Sequence, residues 1–183
     1  MATNNATLGF FTPKDVEAPF GGSTGFFKRG STPVLAFDRV SPFPDARFAG
    51  VLPRGVNAGY TATTGVKVIV TWSSANAAST GSVVWGASFQ LDGQTDKPVP
   101  YNDNFPAFNA ANEVQATTPA NVTTAGGMNY TTLSVPIASV QNGQATAPIS
   151  GDHYRLRIRR VDENAADTMA GVAYLHSVEL QDY

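Results

Sequence analysis

The sequence predicts an all-β protein, an antiparallel two-sheet sandwich with an extended N-terminal arm over residues 1–33. Residues 34–183 contain about eight strand-like segments with period-2 alternation or short apolar runs. No segment keeps helical periodicity for longer than two turns. Several polar loops are too long for hairpins, so a jelly roll fits best, with an immunoglobulin-like sandwich as the alternative.

The strands follow in chain order. PVLAFDR and RFAGVL are short and are separated by the turn-rich SPFPDA. GVKVIVTWS places Trp72 on one face with three valines, and SVVWGASFQLDG places Trp85 on one face with Ala87, Phe89 and Leu91. We therefore expect both tryptophans in the core and not on a sugar-binding surface. Four further strands complete the domain: NEVQATT, MNYTTLSVPI, HYRLRIRRV and GVAYLHSVEL.

The N-terminal arm has no sustained period of 2 or 3.6, yet it is too apolar for a plain disordered tail. Its phenylalanines stand among Gly, Thr, Ser and Pro. One interpretation is a leader that folds back over its own core. The other is an arm that docks into a neighbouring subunit, since buried aromatic side chains dominate interface energetics. The candidate partner-binding residues of the arm are Phe10, Phe11, Phe20, Phe26 and Phe27.

Composition narrows the class of partner. Only 14% of the residues are charged and the isoelectric point is near 5.6, which argues against general nucleic-acid binding. No run of apolar residues is long enough to span a membrane. The absence of cysteine excludes disulfides and thiolate metal sites. A weakly charged surface is typical of a protein held against another protein, with a robust monomer as the alternative.

The histidines do not predict a metal site. His153 and His176 could share an ion only with a nearby carboxylate, such as Asp152 or Glu179, and their spacing matches no metal signature. His176 is instead expected to be a structural histidine on the core face of the last strand, together with Tyr174, Val178 and Leu180.

Other reactive patterns are also missing. The loop holding Asp92, Asp96 and Asp103 is superficially similar to a calcium loop but lacks its twelfth-position glutamate, and an Asp-Gly turn explains its start. There is no Gly-x-Ser-x-Gly, no phosphate-binding glycine loop and no feature that selects a carboxylate pair. We therefore expect no enzymatic activity, no cofactor and no metal.

The segment GDHYRLRIRR places Arg155, Arg157 and Arg159 on one face of a strand. Three interpretations stay open: a solvated face paired within the chain, an intersubunit salt-bridge surface, and a phosphate or glycan site. Antiparallel pairing of the last two strands would bring Glu179 toward Arg155. The connecting loop adds carboxylates beside Arg159 and Arg160: Asp162, Glu163 and Asp167.

The C-terminal half contains, in order, VVWGASFQ, TTLSVPIA, GDHYRLRIRR and DTMAGVAYLHSVELQD. Together these segments resemble a tailed-bacteriophage virion family whose members end in a similar arginine-rich strand, acidic loop and Asp-Thr-Met-Ala-Gly. The resemblance covers residues 82–183 and is most specific over 151–183. Members usually carry an acid after that glycine, where this chain has Val172 and Ala173, which weakens any charge-pair argument at that point.

The resemblance implies a non-enzymatic β-sandwich similar to head decoration, or cement, proteins, which sit as trimers on the outer capsid surface. We therefore expect a decoration protein bound to the major capsid protein, with residues 1–33 as the gripping arm and 34–183 as the domain. Arg155, Arg157 and Arg159 would be paired surface charges. Two other functions remain: a receptor-binding or tail-fibre head domain recognising host surface glycans, and a glycan-active enzyme.

Overall fold

The computed structural model describes residues 6–17, 26–38, 45–52, 65–75, 80–91, 108, 110–120, 127–136, 139 and 153–182. Within these ranges no helix is long and apolar enough to cross a membrane. Among the elements that lie wholly within these ranges are two short 3₁₀ turns and ten strands. The strands are β1 (Thr7–Phe11), β2 (Phe26–Arg29), β3 (Thr32–Phe37), β4 (Ala46–Val51), β5 (Gly65–Ser74), β6 (Ser82–Leu91), β7 (Val114–Pro119), β8 (Met128–Pro136), β9 (His153–Arg160) and β10 (Ala173–Asp182).

The strands form two antiparallel sheets, which confirms the predicted sandwich. The larger sheet has the order β2-β3-β10-β5-β8, with β1 added to β10, and the smaller one has the order β4-β9-β6-β7. From β3 to β10 the chain changes sheet at every connection except the one between β6 and β7. This alternation is the jelly-roll connectivity that the long loops predicted. It also places β9 and β10 in different sheets, so the pairing of the last two strands that would bring Glu179 to Arg155 does not occur.

The core lies between the sheets and contains the side chains that the alternation placed there. Trp72 and Trp85 are fully buried, with ring centroids 6.1 Å apart, so the prediction of two core tryptophans is confirmed. A hydrogen-bond chain closes one side of the sandwich. Trp72 Nε1 donates to Thr131 Oγ1 at 3.0 Å, and that hydroxyl donates to Thr118 Oγ1 at 2.7 Å. The chain joins β8 of the larger sheet to β7 of the smaller one.

The described parts of the predicted arm belong to the sandwich. β1 pairs with the C-terminal half of β10, and β2 pairs with β3. Phe11 packs in the core with its ring centroid 5.2 Å from that of Phe48. Phe11 is therefore not a surface anchor, and its place among the candidate partner-binding residues is corrected. β1 has only five residues, and its sheet partner β10 lies at the other end of the chain. Local periodicity in the sequence therefore does not reveal this pairing.

The side of the sandwich that holds β1 is closed by Tyr154 of β9. A methyl group added at Gly9 of β1 or at Gly50 of β4 would stand 2.6 Å from the Tyr154 hydroxyl. Such contacts are far below van der Waals distance, so only glycine fits at either position without movement. Strands from both sheets thus converge on one tyrosine, and β1 is a structural part of this edge.

Candidate functional site

The outer face of the smaller sheet, called the arginine face below, carries the arginine row of β9. The face comprises Arg47, Ser88, Gln90, Arg155, Arg157 and Arg159. Glu113, just before β7, neutralises two of these arginines. Its carboxylate lies 3.0 Å from Arg157 Nη2 and 2.6 Å from Arg159 Nε. Only 2% of the Glu113 side chain is exposed, so this carboxylate is fixed against the sheet and not free in water.

Every arginine of the β9 row has a carboxylate partner in the same chain. Arg155 Nε lies 3.1 Å from Glu17, and Arg159 Nη2 lies 2.6 Å from Glu163 in the following loop. The Arg159–Glu163 pair is the contact that the acidic loop predicted. Glu179, which would approach Arg155 only if the last two strands paired, lies on the other sheet and accepts a hydrogen bond from Thr7. These contacts support the interpretation of a face paired within the chain.

Burial and charge on the arginine face shift the pKa values of two guanidinium groups in opposite directions. Burial lowers the pKa of Arg157, against the opposing effect of the Glu113 charge. Hydrogen bonds to Glu113 raise the pKa of Arg159 above its ordinary value. Phe108 covers part of the face, with its ring centroid 4.9 Å from Arg157 Cζ and 5.5 Å from Arg47 Cζ. An incoming phosphate would have to displace these partners, so the geometry does not favour an anion site here.

The Asp-Thr-Met-Ala-Gly segment has a structural role. Arg160 and Asp167 form a fully buried ion pair at 2.7 Å, and Asp167 also accepts from the backbone N–H of Val84. Arg160 further donates to the carbonyl oxygens of Met169 and Gly171. The segment therefore ties the loop after β9 onto β6 and contains no exposed reactive group.

The outer face of the larger sheet is called the tyrosine face. It comprises Phe10, Phe27, Ile69, Thr71, Met128, Tyr130, Thr132, Tyr174, Ser177 and Glu179. Four of the five large hydrophobic side chains that are exposed in the described residues lie on it, with Tyr130 at 65% exposure and Phe10 at 60%. The fifth, Val51, lies at the end of the arginine face. Exposed aromatic side chains are thus concentrated on one face of the molecule.

The candidate phenylalanines of the arm have different positions. Phe10 and Phe27 project from the tyrosine face, and Phe11 is in the core. Phe26 lies in β2, where it pairs with Leu35. Phe20 lies outside the described residues. Among the candidate phenylalanines, Phe10 and Phe27 are therefore the ones that the structure shows to be exposed.

A β-bulge in β10 places His176 differently from the prediction. The pairing with β5 slips between Leu175 and Ser177, so Leu175 and Val178 both face the core while His176 turns outward. The expectation that His176 shares the core face with Val178 is therefore wrong. Its Nε2 lies 2.8 Å from Ser73 Oγ on the outer side of β5. The bulge produces a polar cluster at one end of the tyrosine face.

Arg29 completes this polar cluster. Its Nη1 donates to Ser73 Oγ at 2.7 Å and to the Ser74 carbonyl oxygen at 2.7 Å, and its guanidinium carbon lies 5.5 Å from the centre of the Tyr174 ring. Burial, with a smaller effect of the Arg29 charge, lowers the pKa of His176. We call Arg29, Ser73, Tyr174 and His176 the Arg29 cluster. Sequence gives no signal for it, because its members come from three separated strands.

In the described ranges, no observation contradicts the prediction that the chain has no metal site. His153 lies in β9 and His176 in β10, which belong to different sheets. The described residues contain no group of three His, Asp or Glu side chains placed to hold an ion. Asp92, Asp96, Asp103 and Asp152 lie outside those residues.

Comparison with known proteins gives similarity of fold alone. No protein-family model and no curated protein matches the chain. A solved carbohydrate-binding module, CBM36 in complex with calcium and xylotriose, has 12% identity and a TM-score of 0.48, covering 94% of this chain and 99% of its own. A Paenibacillus sp. cycloisomaltooligosaccharide glucanotransferase complexed with cycloisomaltoheptaose has 10% identity and a TM-score of 0.39, covering 93% of this chain and 18% of its own. Neither is a phage virion protein, and neither match carries an inference about activity.

Proposed function

We propose that this protein is a non-enzymatic bacteriophage capsid decoration protein that docks onto the outer shell through its tyrosine face. The observation that carries the proposal is the concentration of exposed Phe10, Phe27, Met128 and Tyr130 on one face. Isolated exposed hydrophobic side chains are normal on a soluble protein, whereas several on one face mark an interaction surface. The resemblance of residues 82–183 to virion proteins suggests the capsid shell as the partner.

The contrast between the two faces supports this choice of surface. On the arginine face, the β9 arginines are held by carboxylates of the same chain and are only 14–17% exposed. A partner protein that bound to the arginine face would gain little binding free energy, because each new ion pair would replace an existing one. On the tyrosine face, burying an aromatic side chain contributes about 1.5–3 kcal/mol of transfer free energy. Docking through the tyrosine face is therefore the favoured arrangement.

The structure changes how the N-terminal segment would contribute. The segment supplies β1 and β2 to the sandwich, and Phe10 and Phe27 reach outward from these strands. The contacts with the partner would be made by side chains on a rigid sheet. Binding through them costs less conformational entropy than ordering a flexible arm. The protein would bind the assembled capsid lattice and not the free shell subunits, and this difference would stabilise the head by mass action. A homotrimer on the capsid surface remains part of the proposal through the virion resemblance.

The test is co-sedimentation of the full chain with purified tail-less heads from the phage genome that encodes it. Phe27→Ser and Tyr130→Ser should each weaken binding roughly tenfold or more, the loss typical of an interface hot spot. Val51→Ser is the control, because Val51 is also a large exposed hydrophobic residue, at 44% exposure, but lies on the arginine face. Unchanged binding by the first two variants, or no binding by the folded parent chain, would refute the proposal.

A second candidate is a receptor-binding or tail-fibre head domain that recognises host surface glycans. The observation that favours it is Tyr130, 65% exposed, with the hydroxyls of Thr71 and Thr132 on the same face. Aromatic rings next to fixed hydroxyls suit the apolar and polar sides of a sugar ring. Glycan-array binding that Tyr130→Ala abolishes and Val51→Ala preserves would select this function over decoration.

A further inference from the structure

Arg29 differs from every other described arginine in its partners. Arg47, Arg155, Arg157, Arg159 and Arg160 each form an ion pair with a carboxylate. In the part of the chain that the structure describes, no carboxylate pairs with Arg29. Its contacts are the Ser73 hydroxyl, the Ser74 carbonyl oxygen and the Tyr174 ring, which are all uncharged. The described residues thus hold a half-buried cation in place without neutralising its charge.

The hydrogen bonds of Arg29 leave one edge of its guanidinium available. Its two hydrogen bonds within the described residues, to Ser73 and to Ser74, both use Nη1. The Nε–Nη2 edge meets no acceptor among the described residues, and this edge presents two parallel N–H donors to a carboxylate. Tyr174 supports the guanidinium plane. Arg29 is therefore pre-oriented, so binding through that edge would cost little side-chain entropy.

His176 contacts the same hydroxyl as Arg29. Arg29 can only donate, so Ser73 Oγ accepts from it; His176 Nε2 lies 2.8 Å from that oxygen, and the direction of their hydrogen bond depends on the imidazole tautomer. The other ring nitrogen, Nδ1, is buried and has no hydrogen-bond partner in the described residues. Because Arg29 and His176 share Ser73 Oγ, the imidazole should respond to what binds at Arg29.

We propose that the Arg29 cluster is a carboxylate-binding site whose occupant is an aspartate or glutamate side chain of the shell protein. The carboxylate takes the Nε–Nη2 edge of Arg29, and His176 is linked to this arginine through Ser73 Oγ. The identity of the occupant rests on the proposed docking through the tyrosine face, because the cluster lies at one end of that face. The site itself does not depend on that function.

The site is tested on the isolated full-length chain with sodium acetate as the probe. NMR at pH 7 follows the side-chain signals of Arg29 Nε and of the His176 ring, with sodium chloride at equal ionic strength as the reference. Acetate should give saturable shifts that chloride does not. Arg29→Gln should abolish the His176 response, and Lys28→Gln, the same charge change at an exposed neighbour, should keep it. Equal responses to acetate and chloride would overturn the site.

Arg29→Lys keeps the tests informative if Arg29→Gln does not fold. It retains the positive charge but loses the two-donor edge, so the acetate affinity should fall several-fold. Shifts as strong as in the parent chain would contradict the proposed bidentate contact.

The occupant is tested separately by head co-sedimentation. Arg29→Gln should weaken binding roughly tenfold and Lys28→Gln much less. If the parent chain binds acetate but the Arg29→Gln variant binds heads normally, the carboxylate site stands, and the proposal that a shell-protein carboxylate occupies it is rejected. If the parent chain does not bind heads, the proposed function fails and the acetate result still decides the site.

Discussion

Glu113 determines the electrostatic state of the arginine face. It accepts from both Arg157 and Arg159 while almost fully buried, and Gly86 of β6 leaves room for its carboxylate. A methyl group at Gly86 would lie 2.7 Å from the Glu113 carboxyl carbon. The pairing of Arg157 and Arg159 with a buried carboxylate thus depends on Glu113 and on one position without a side chain.

Replacing Glu113 by glutamine should destabilise the fold. Two half-buried guanidinium groups lose their carboxylate, and we expect a loss of about 2 kcal/mol in the free energy of unfolding. Urea unfolding measures it. Glu163→Gln is the control, because Glu163 also pairs with Arg159 but is 58% exposed, so its loss should stay below about 1 kcal/mol. Equal effects of the two variants would contradict the assigned role of Glu113.

Tyr154 makes stability sensitive to alkaline pH. Burial raises the pKa of its hydroxyl to about 12, above its ordinary value of 10.0. The folded state therefore holds this proton more tightly than the unfolded state. The stabilisation from this group is complete below pH 10 and is lost as the pH rises from 10 toward 12.

We expect the parent chain to lose about 2 kcal/mol more stability over that interval than Tyr154→Phe, which cannot ionise. The measurement is urea unfolding at a series of pH values, taken as the difference between the two proteins. The difference cancels the titration of other tyrosines and lysines. A constant difference across the interval would contradict the buried state of this hydroxyl.

At the scale of elements, β1 and β2 show where sequence reasoning fails. In β1 a single alternation, Phe10 outward and Phe11 inward, is too short to separate a strand from a loop. Its partner β10 lies at the other end of the chain, so the pairing is invisible to local pattern. By contrast, the sequence predicted the core face of β5 and β6 correctly, because each carries a same-face apolar row that includes a buried tryptophan.

The contribution of β1 to the sandwich is testable at Gly9. Gly9→Ala should cost about 1–3 kcal/mol of unfolding free energy, because the methyl group meets the Tyr154 hydroxyl at 2.6 Å. Adding Tyr154→Phe removes that oxygen and should recover most of the loss in a double-mutant cycle. If residues 1–33 were instead a free arm, Gly9→Ala would leave the stability unchanged.

The candidate site was only partly accessible to sequence. The β9 arginine row and its acidic loop were predicted, because strand alternation and loop proximity are local properties. The Arg29 cluster was not, since it requires the bulge at His176 and a hairpin that brings Arg29 to β5. A bulge of one residue turns side chains to the opposite face and leaves no mark on composition.

At the scale of the whole molecule, the predicted jelly roll follows from counting strands and loops. Long connections cross between sheets, and the resulting topology separates β9 from β10. The last two strands are neighbours in sequence but not in a sheet, so a pairing between them cannot bring Glu179 to Arg155. The same topology separates the two outer faces chemically, one paired within the chain and the other carrying exposed aromatic side chains.

This separation changes how a truncation experiment should be read. Deleting residues 1–33 removes β1, β2 and the first residues of β3 from the larger sheet, so loss of capsid binding would report unfolding. Surface substitutions at Phe27 and Tyr130 avoid this problem, because both side chains project into solvent. These two substitutions therefore distinguish a loss of partner binding from a loss of sandwich stability.

Hydroxyl-radical footprinting of the protein, free and bound to heads, tests the proposed docking surface most directly. The tyrosine face carries four exposed side chains of types that react readily with hydroxyl radicals: Phe10, Phe27, Met128 and Tyr130. The account predicts that their labelling falls several-fold on the heads, while labelling of His153 at the end of the arginine face stays unchanged. Bound protein whose tyrosine face is labelled as strongly as in free solution would contradict docking through that surface.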